Sequence, residues 1–204
     1  MAKKRSASLG TAQRIIESAT KLFLDEGYGN TNLDDVASAA GVTKPTVYSH
    51  FGSKSGLLIA ITKAHAGARA TALSSILEPT GDVRADLTRF GELFLSRIMG
   101  EQSNCWHRLA MTESLEHPEI GQELFAAGPK RVIAALEAFL THEVTEGRLT
   151  CPNVAMATEQ FMGLLAGLQP IRMMSGQKPL SKAKQKKRCA AAVDTFLAAF
   201  GAKP

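Results

Sequence analysis

Apolar residues recur along the chain at spacings of three and four, the period of a helix with one buried face. Ile15, Ile16, Ala19, Leu22 and Phe23 predict a first helix, which Gly27 stops. Thr31 stands three residues before Asp34, a capping-box-like start, and Leu33, Val36, Ala37 and Ala40 then share one face until Gly41. Thr43 offers a cap for a third short helix with Pro45 in its first turn, where a missing N–H has no helical partner to lose. That helix runs to about His50, and Gly52 breaks it. Ser53 then opens a long fourth helix marked by Leu57, Leu58, Ile61, Leu73 and Ile76, ending before Pro79-Thr80-Gly81.

Further helical segments are expected at about 82–100, 105–116, 128–146, 153–174 and 181–200, which makes about nine helices in all. Aromatic content of 6% beside frequent Ala, Leu and Met favours helices over sheets, so the fold class is all-α. The expected division is a three-helix head, 1–52, and a helical body, 53–204, entered through the fourth helix. Lys178, Lys182, Lys184, Lys186, Lys187 and Arg188 form a run without an acid at the start of the last segment. Cations there oppose the helix dipole, which predicts a solvated face or loop with a frayed end.

Composition removes several function classes. A net charge of +5 fits a partner that carries phosphates. Cys105, Cys151 and Cys189 are scattered and no histidine stands at ligand spacing, so no metal, cofactor or disulfide framework is expected. Neither a secretion signal nor a membrane span is legible, which predicts a cytoplasmic protein. There is no nucleophile elbow, phosphate loop or acid–base pair, and His50, His65, His107, His117 and His142 are dispersed, so an enzyme is not expected.

The second and third helices fit a helix-turn-helix, which needs small residues at a steep crossing and Gly where the backbone turns left-handed. Ala37, Ala40 and Gly41 meet that need, and Val36, Val42, Val47 and Phe51 are spaced to hold the pair against the first helix. Thr43, Lys44, Pro45 and Thr46 then lie at the end of the third helix that enters a major groove. Thr46 suits a base edge or a thymine methyl, while Tyr48, His50 and Lys54 suit phosphates. Thr31, Thr43 and Ser53 also read as plain helix caps.

The run Thr31-Asn32-Leu33-Asp34-Asp35-Val36-Ala37, followed by Ala40-Gly41-Val42-Thr43-Lys44-Pro45-Thr46-Val47-Tyr48-Ser49-His50-Phe51-Gly52-Ser53-Lys54, resembles the DNA-binding signature of TetR-type regulators. With Leu22-Phe23 and Gly27-Tyr28 the resemblance covers the first quarter to third of the chain. It implies DNA contacts from Thr31, Thr43, Lys44, Thr46, Tyr48, His50 and Lys54, with Lys3, Lys4 and Arg5 reaching a flanking minor groove. Asn32 departs from the Ser or Thr more usual in the family. The stretch from Trp106 to Glu113, followed by His117-Pro118-Glu119, is similar to one branch of that family.

The resemblance also implies a homodimer on double-stranded operator DNA, an inverted repeat, with a small-molecule effector held by the body. Phe90, Phe94, Trp106, Met111, Phe125, Phe161 and Met162 suit an apolar pocket, with Arg108 and Glu113 as polar candidates. The same stripes fit a plain core, and Arg108 and Glu113 fit a mutual pair or a solvated face. Leu164 and Leu168, with Val193, Phe196 and Phe200, are the candidate dimer contacts, or close the core of one protomer. The expected function is a repressor released from its operator by ligand; a ligand-independent DNA-binding protein or an activator is the alternative.

Overall fold

A computed structural model describes residues 10–202, with backbone alone for 101–104. The helices are α1 (Thr11–Asp25), α2 (Leu33–Ala40), α3 (Lys44–Phe51), α4 (Lys54–Ser74), α5 (Val83–Ile98), α6 (Glu101–Glu113), α7 (Pro118–Ala127), α8 (Pro129–Thr145), α9 (Val154–Ala166), α10 (Gln169–Met174) and α11 (Lys182–Phe200). Among the described residues, strand-like pairing is confined to one bridge, Leu149 with Gly201. The fold is all-α, as the periodicity predicts.

Two compact units emerge, Met1–His65 with Cys105–Leu124, and Ala66–Asn104 with Phe125–Pro204. The boundary expected at 52/53 therefore falls inside the first unit, because the N-terminal half of α4 and much of α6 and α7 group with the helix-turn-helix. Ile15, Ala19 and Phe23 of α1, Leu33, Val36 and Ala40 of α2 and Val47 of α3 are buried in this unit, where α2 packs on both α1 and α3. Gly41 ends α2 in the left-handed conformation, φ 65° and ψ 42°, where a side chain would clash with its own backbone. The α3–α4 corner is tighter. A Cβ on Gly56 would stand 2.1 Å from the carbonyl oxygen of Phe51, so only glycine lets α4 start so close behind α3.

The second unit is built on a ladder of rings. Phe90 and Phe94 are 5.9 Å apart between centroids, Phe90 and Phe161 6.3 Å, Phe161 and Phe196 5.0 Å, and Phe196 and Phe200 4.9 Å, joining α5, α9 and α11. Two buried carboxylates fix its corners, each with partners that compensate the lost hydration. Asp86 accepts from the Thr80 N–H at 2.9 Å, the Thr80 hydroxyl at 2.8 Å and Arg89 at 2.8 Å, which pins the α4–α5 turn. Glu143 takes Arg148 through two bonds, 2.5 and 3.1 Å, at the loop before α9.

Three expectations about elements change. The segment 153–174 is interrupted at Gly167, φ 49°, where a Cβ would sit 2.0 Å from the Arg188 guanidinium. Arg188 occupies that space to donate to the Leu164 carbonyl at 3.0 Å and to the Leu165 carbonyl, satisfying the open end of α9. The basic run is helical from Lys182, with the Ser181 hydroxyl accepting from the Lys184 N–H at 3.4 Å, instead of fraying. Its last cation faces inward. Finally, 118–127 is a helix of its own, with Pro118 at its start and Ile120 and Leu124 buried one turn apart.

Replacing Gly56 by Ala is expected to lower stability by about 1–3 kcal/mol, because the obstructing atom is backbone and cannot rotate away. Chemical denaturation of the two proteins checks it, and an unchanged midpoint would show that the corner relaxes freely.

Candidate nucleic-acid interface

α3 has eight residues and one fully buried side chain, Val47, so its other faces are available. Lys44, Pro45, Tyr48 and His50 are exposed and Thr46 is half-buried, forming one accessible surface at the N-terminal end and side of the helix. Thr43 occupies the N-cap position, but its hydroxyl turns to the Thr46 hydroxyl at 2.9 Å and makes no cap bond to the backbone. The two hydroxyls thus present a paired donor and acceptor at the mouth of the helix. Lys44 lies 2.7 Å from Asp34 of α2, whose hydrogen bond first and charge second raise the lysine pKa. Its charge is permanent at any working pH.

Ser53 caps α4 as its spacing suggests, its hydroxyl accepting from the Gly56 N–H at 2.9 Å. Beside it Lys54 donates to the Gly29 carbonyl at 3.3 Å and rests 4.4 Å above the ring of Tyr28. Burial lowers its pKa, an effect that outweighs the opposing charge of Glu113. Thr31 differs from the expectation. It is 2% exposed, and its hydroxyl and its N–H both donate to the Gly27 carbonyl, at 2.9 and 3.2 Å. The cap of α2 is Asn32, whose side-chain oxygen accepts from the Asp35 N–H at 2.9 Å. Burial and these two bonds to the Gly27 carbonyl turn the Thr31 hydroxyl away from solvent. Lys3, Lys4 and Arg5 lie outside the described residues.

The pocket candidates divide between the two units. Phe90, Phe94 and Phe161 are buried members of the ring ladder in the second unit, and Met162 packs against that core. Phe125 is exposed in the same unit. Trp106, Arg108, Met111 and Glu113 belong to α6 in the first unit. There Trp106 is buried and stacks on His65 at 5.1 Å, while Arg108 and Met111 are exposed and Glu113 is half-buried. The dimer candidates divide too. Val193 and Phe196 close the core of the second unit, whereas Leu168 is 61% exposed and Leu164 and Phe200 are partly exposed. Stripe spacing on α11 marks the inward face, because its exposed face is lined by small residues, Ala191, Thr195 and Ala199.

Comparison with known proteins decides the family. Residues 15–61 match the model for bacterial regulatory proteins of the tetR family, and residues 85–202 match the C-terminal domain of AefR-like transcriptional repressors. The chain belongs to the TetR family. Within it, the probable regulator ArpR of Pseudomonas putida is 38% identical over 166 residues, covering 77% of this chain and 79% of that protein. The regulator SrpR of the same species is 28% identical over 171 residues, covering 82% and 78%. Among solved TetR-family structures, one from Mesorhizobium loti superposes with a TM-score of 0.87 at 24% identity, over 97% of this chain and 98% of that one. The flavonoid-responsive regulator FrrA gives a TM-score of 0.79 at 25% identity, over 95% and 98%. The protein is therefore a TetR-family DNA-binding transcriptional regulator, and no helix among the described residues is long and apolar enough to cross a membrane.

Two participants escape a reading of the sequence. Asn32 is the α2 cap, concealed by the stronger-looking Thr31 beside it. Tyr28 lies under Lys54 across a turn and two helices, a proximity that no local spacing signals. Thr31→Val is expected to cost about 1 kcal/mol of stability by removing an internal hydrogen bond, with DNA affinity and its salt dependence unchanged. Parallel unfolding and DNA titrations would separate this from a phosphate contact, whose loss would weaken DNA binding as well.

Proposed function

We propose that the protein is a homodimeric repressor whose paired α3 helices enter successive major grooves of an inverted-repeat operator, and whose grip is released by a small-molecule effector. The observation that carries this is the exposed surface of α3, with Lys44, Pro45, Tyr48 and His50 accessible while Val47 anchors the helix from behind. Lys44, Tyr48, His50 and Lys54 contact phosphates, and Thr46, paired with Thr43 at the helix mouth, meets a base edge. Asn32, the cap of α2, takes the flanking position in place of the buried Thr31. Residues 1–52 form the DNA-binding part in the functional sense and 53–204 the regulatory part. It acts in the cytoplasm by binding alone, without a catalytic step.

Pairing uses the outer faces of α9 and α11. An open groove of about 660 Å³ there is bordered by Arg188 and the rings of Phe196 and Phe200, and its small residues Gly163, Thr195 and Ala199 allow a partner helix to approach closely. Exposed Leu168, Ile171 and Met174 extend the apolar surface along α10. One eight-residue recognition helix covers too little DNA for strong discrimination, which favours two half-sites. The match of the body to AefR-like repressors supports repression.

For the effector, Trp106 and its neighbours Arg108, Met111 and Glu113 on α6 are the retained candidates. The Trp106 indole N–H is buried without a hydrogen-bond partner among the described residues, a state that a ligand acceptor would relieve. FrrA's description as flavonoid-responsive supports testing planar phenolic compounds first.

On a duplex selected from a random-sequence pool by this protein, affinity should fall steeply with salt. Lys44→Ala should weaken it by about tenfold and reduce the salt slope by about one. Affinity indifferent to salt would overturn the assignment. Trp106 is the sole tryptophan, so its fluorescence reports binding of naringenin or a related flavonoid directly. A compound that quenches it should weaken operator binding, and DNA should weaken the compound by the same factor; quenching without that reciprocity would contradict effector control.

A further inference from the structure

Lys54 stands on a built support. Its ammonium lies 4.4 Å from the centroid of the Tyr28 ring and donates to the Gly29 carbonyl at 3.3 Å, although helices α2 and α3 separate these residues in the chain. The ring is held in turn. It meets buried Phe23 edge-on, 5.1 Å between centroids at an interplanar angle of 66°, so the plate under Lys54 is anchored in the core of the first unit. Its phenol end lies toward Glu113 and Glu119; burial first, then these two carboxylates, push its pKa up to about 12, so the hydroxyl keeps its proton.

We propose that Tyr28 is a positioning residue for DNA binding: its ring and the Gly29 carbonyl form a seat that holds the Lys54 ammonium at the start of α4, ready for a backbone phosphate. The inference rests on the reading of Lys54 as a phosphate contact. A lysine carries three N–H donors on a long flexible stem, and fixing that stem costs rotamer freedom whenever it grips an anion. The seat takes one donor with the carbonyl, places the ring face under the ammonium, and leaves the remaining side open. Freedom surrendered in the free protein is not surrendered again on binding.

The charge itself favours this outcome. Neither a neutral ring face nor a carbonyl cancels a full positive charge, and burial lowers the Lys54 pKa by more than the nearby charge of Glu113 raises it. A phosphate would supply a negative charge in direct contact with the ammonium. The positive end of the 21-residue helix α4 adds to the attraction. Lys44 contrasts with this, since Asp34 already neutralises it and must share or release it when DNA arrives. The two lysines on either side of the α3–α4 corner are therefore prepared differently, one seated on a ring face and a carbonyl and one paired directly with a carboxylate.

The test measures the full-length protein on the selected duplex by fluorescence anisotropy, across roughly 50–200 mM salt. Lys54→Ala is expected to weaken binding by about tenfold and lower the salt slope by about one. Tyr28→Phe should bind as the wild type, because the ring face is kept. Tyr28→Leu should weaken binding about three- to fivefold, and should cost nothing further once Lys54 is already Ala. Phenylalanines of rising fluorine content at position 28 keep the shape while draining the ring face, so affinity should fall stepwise along that series even if Tyr28→Leu does not fold. Equal losses for Tyr28→Leu with and without Lys54 would reduce Tyr28 to a core residue. Tighter binding by Tyr28→Leu, or no response to fluorination, would mean that the ring sequesters Lys54 or does nothing, and would overturn the proposal. A Lys54→Ala protein that binds like the wild type would overturn the phosphate reading and the seat with it.

Discussion

An eight-residue helix does not persist alone in water, because its few hydrogen bonds do not offset the cost of nucleation. α3 exists through contact with its neighbours, and among its residues Val47 alone is fully buried. Everything proposed for the DNA face depends on that side chain being gripped. Val36 and Ala40 of α2 and Ile15 and Ala19 of α1 are its companions in the core, and the left-handed turn at Gly41 brings α3 across them. At the other end, the lack of a Cβ on Gly56 lets α4 begin immediately behind Phe51. The recognition helix is thus held at both ends by glycines and in the middle by one valine, which leaves its remaining surface for DNA.

The same economy appears in the second unit, where polar groups serve as clips around an aromatic core. Asp86 and Glu143 are buried carboxylates satisfied by donors from the Thr80 turn and from Arg148, and Arg188 satisfies the carbonyls at the end of α9. Arg188 belongs to a run of cations that looks like a solvated face, yet it closes α9 and fixes where α10 can start. Charge in this protein has two uses. Buried ions join elements of the body, and exposed or half-buried cations at the α3–α4 corner are available to a polyanion.

Much of this architecture is legible in the order of residues. Gly, Pro and Ser punctuation locates α1 to α5 closely, because those residues act through local backbone geometry. The joint order from Thr31 to Lys54 is specific enough by itself to point to the family. What fails to read through is contact between distant segments. Nothing local to Gly167 announces Arg188, and nothing near Tyr28 announces Lys54. Periodicity likewise finds the buried stripe of α11, Val193 and Phe196, when an interface needs the opposite stripe. Aromatic residues are the least decisive of all, since Phe90 and Phe161 fit a pocket or a core equally until their neighbours are known.

The central claim is that the exposed face of α3, with the start of α4, is what meets the operator. Hydrogen–deuterium exchange on the full-length protein, with and without the selected duplex, tests it most directly. The account predicts that DNA slows exchange in the segment from Thr43 to Lys54. Unchanged exchange across that segment, under conditions where the protein is saturated with DNA, would contradict it.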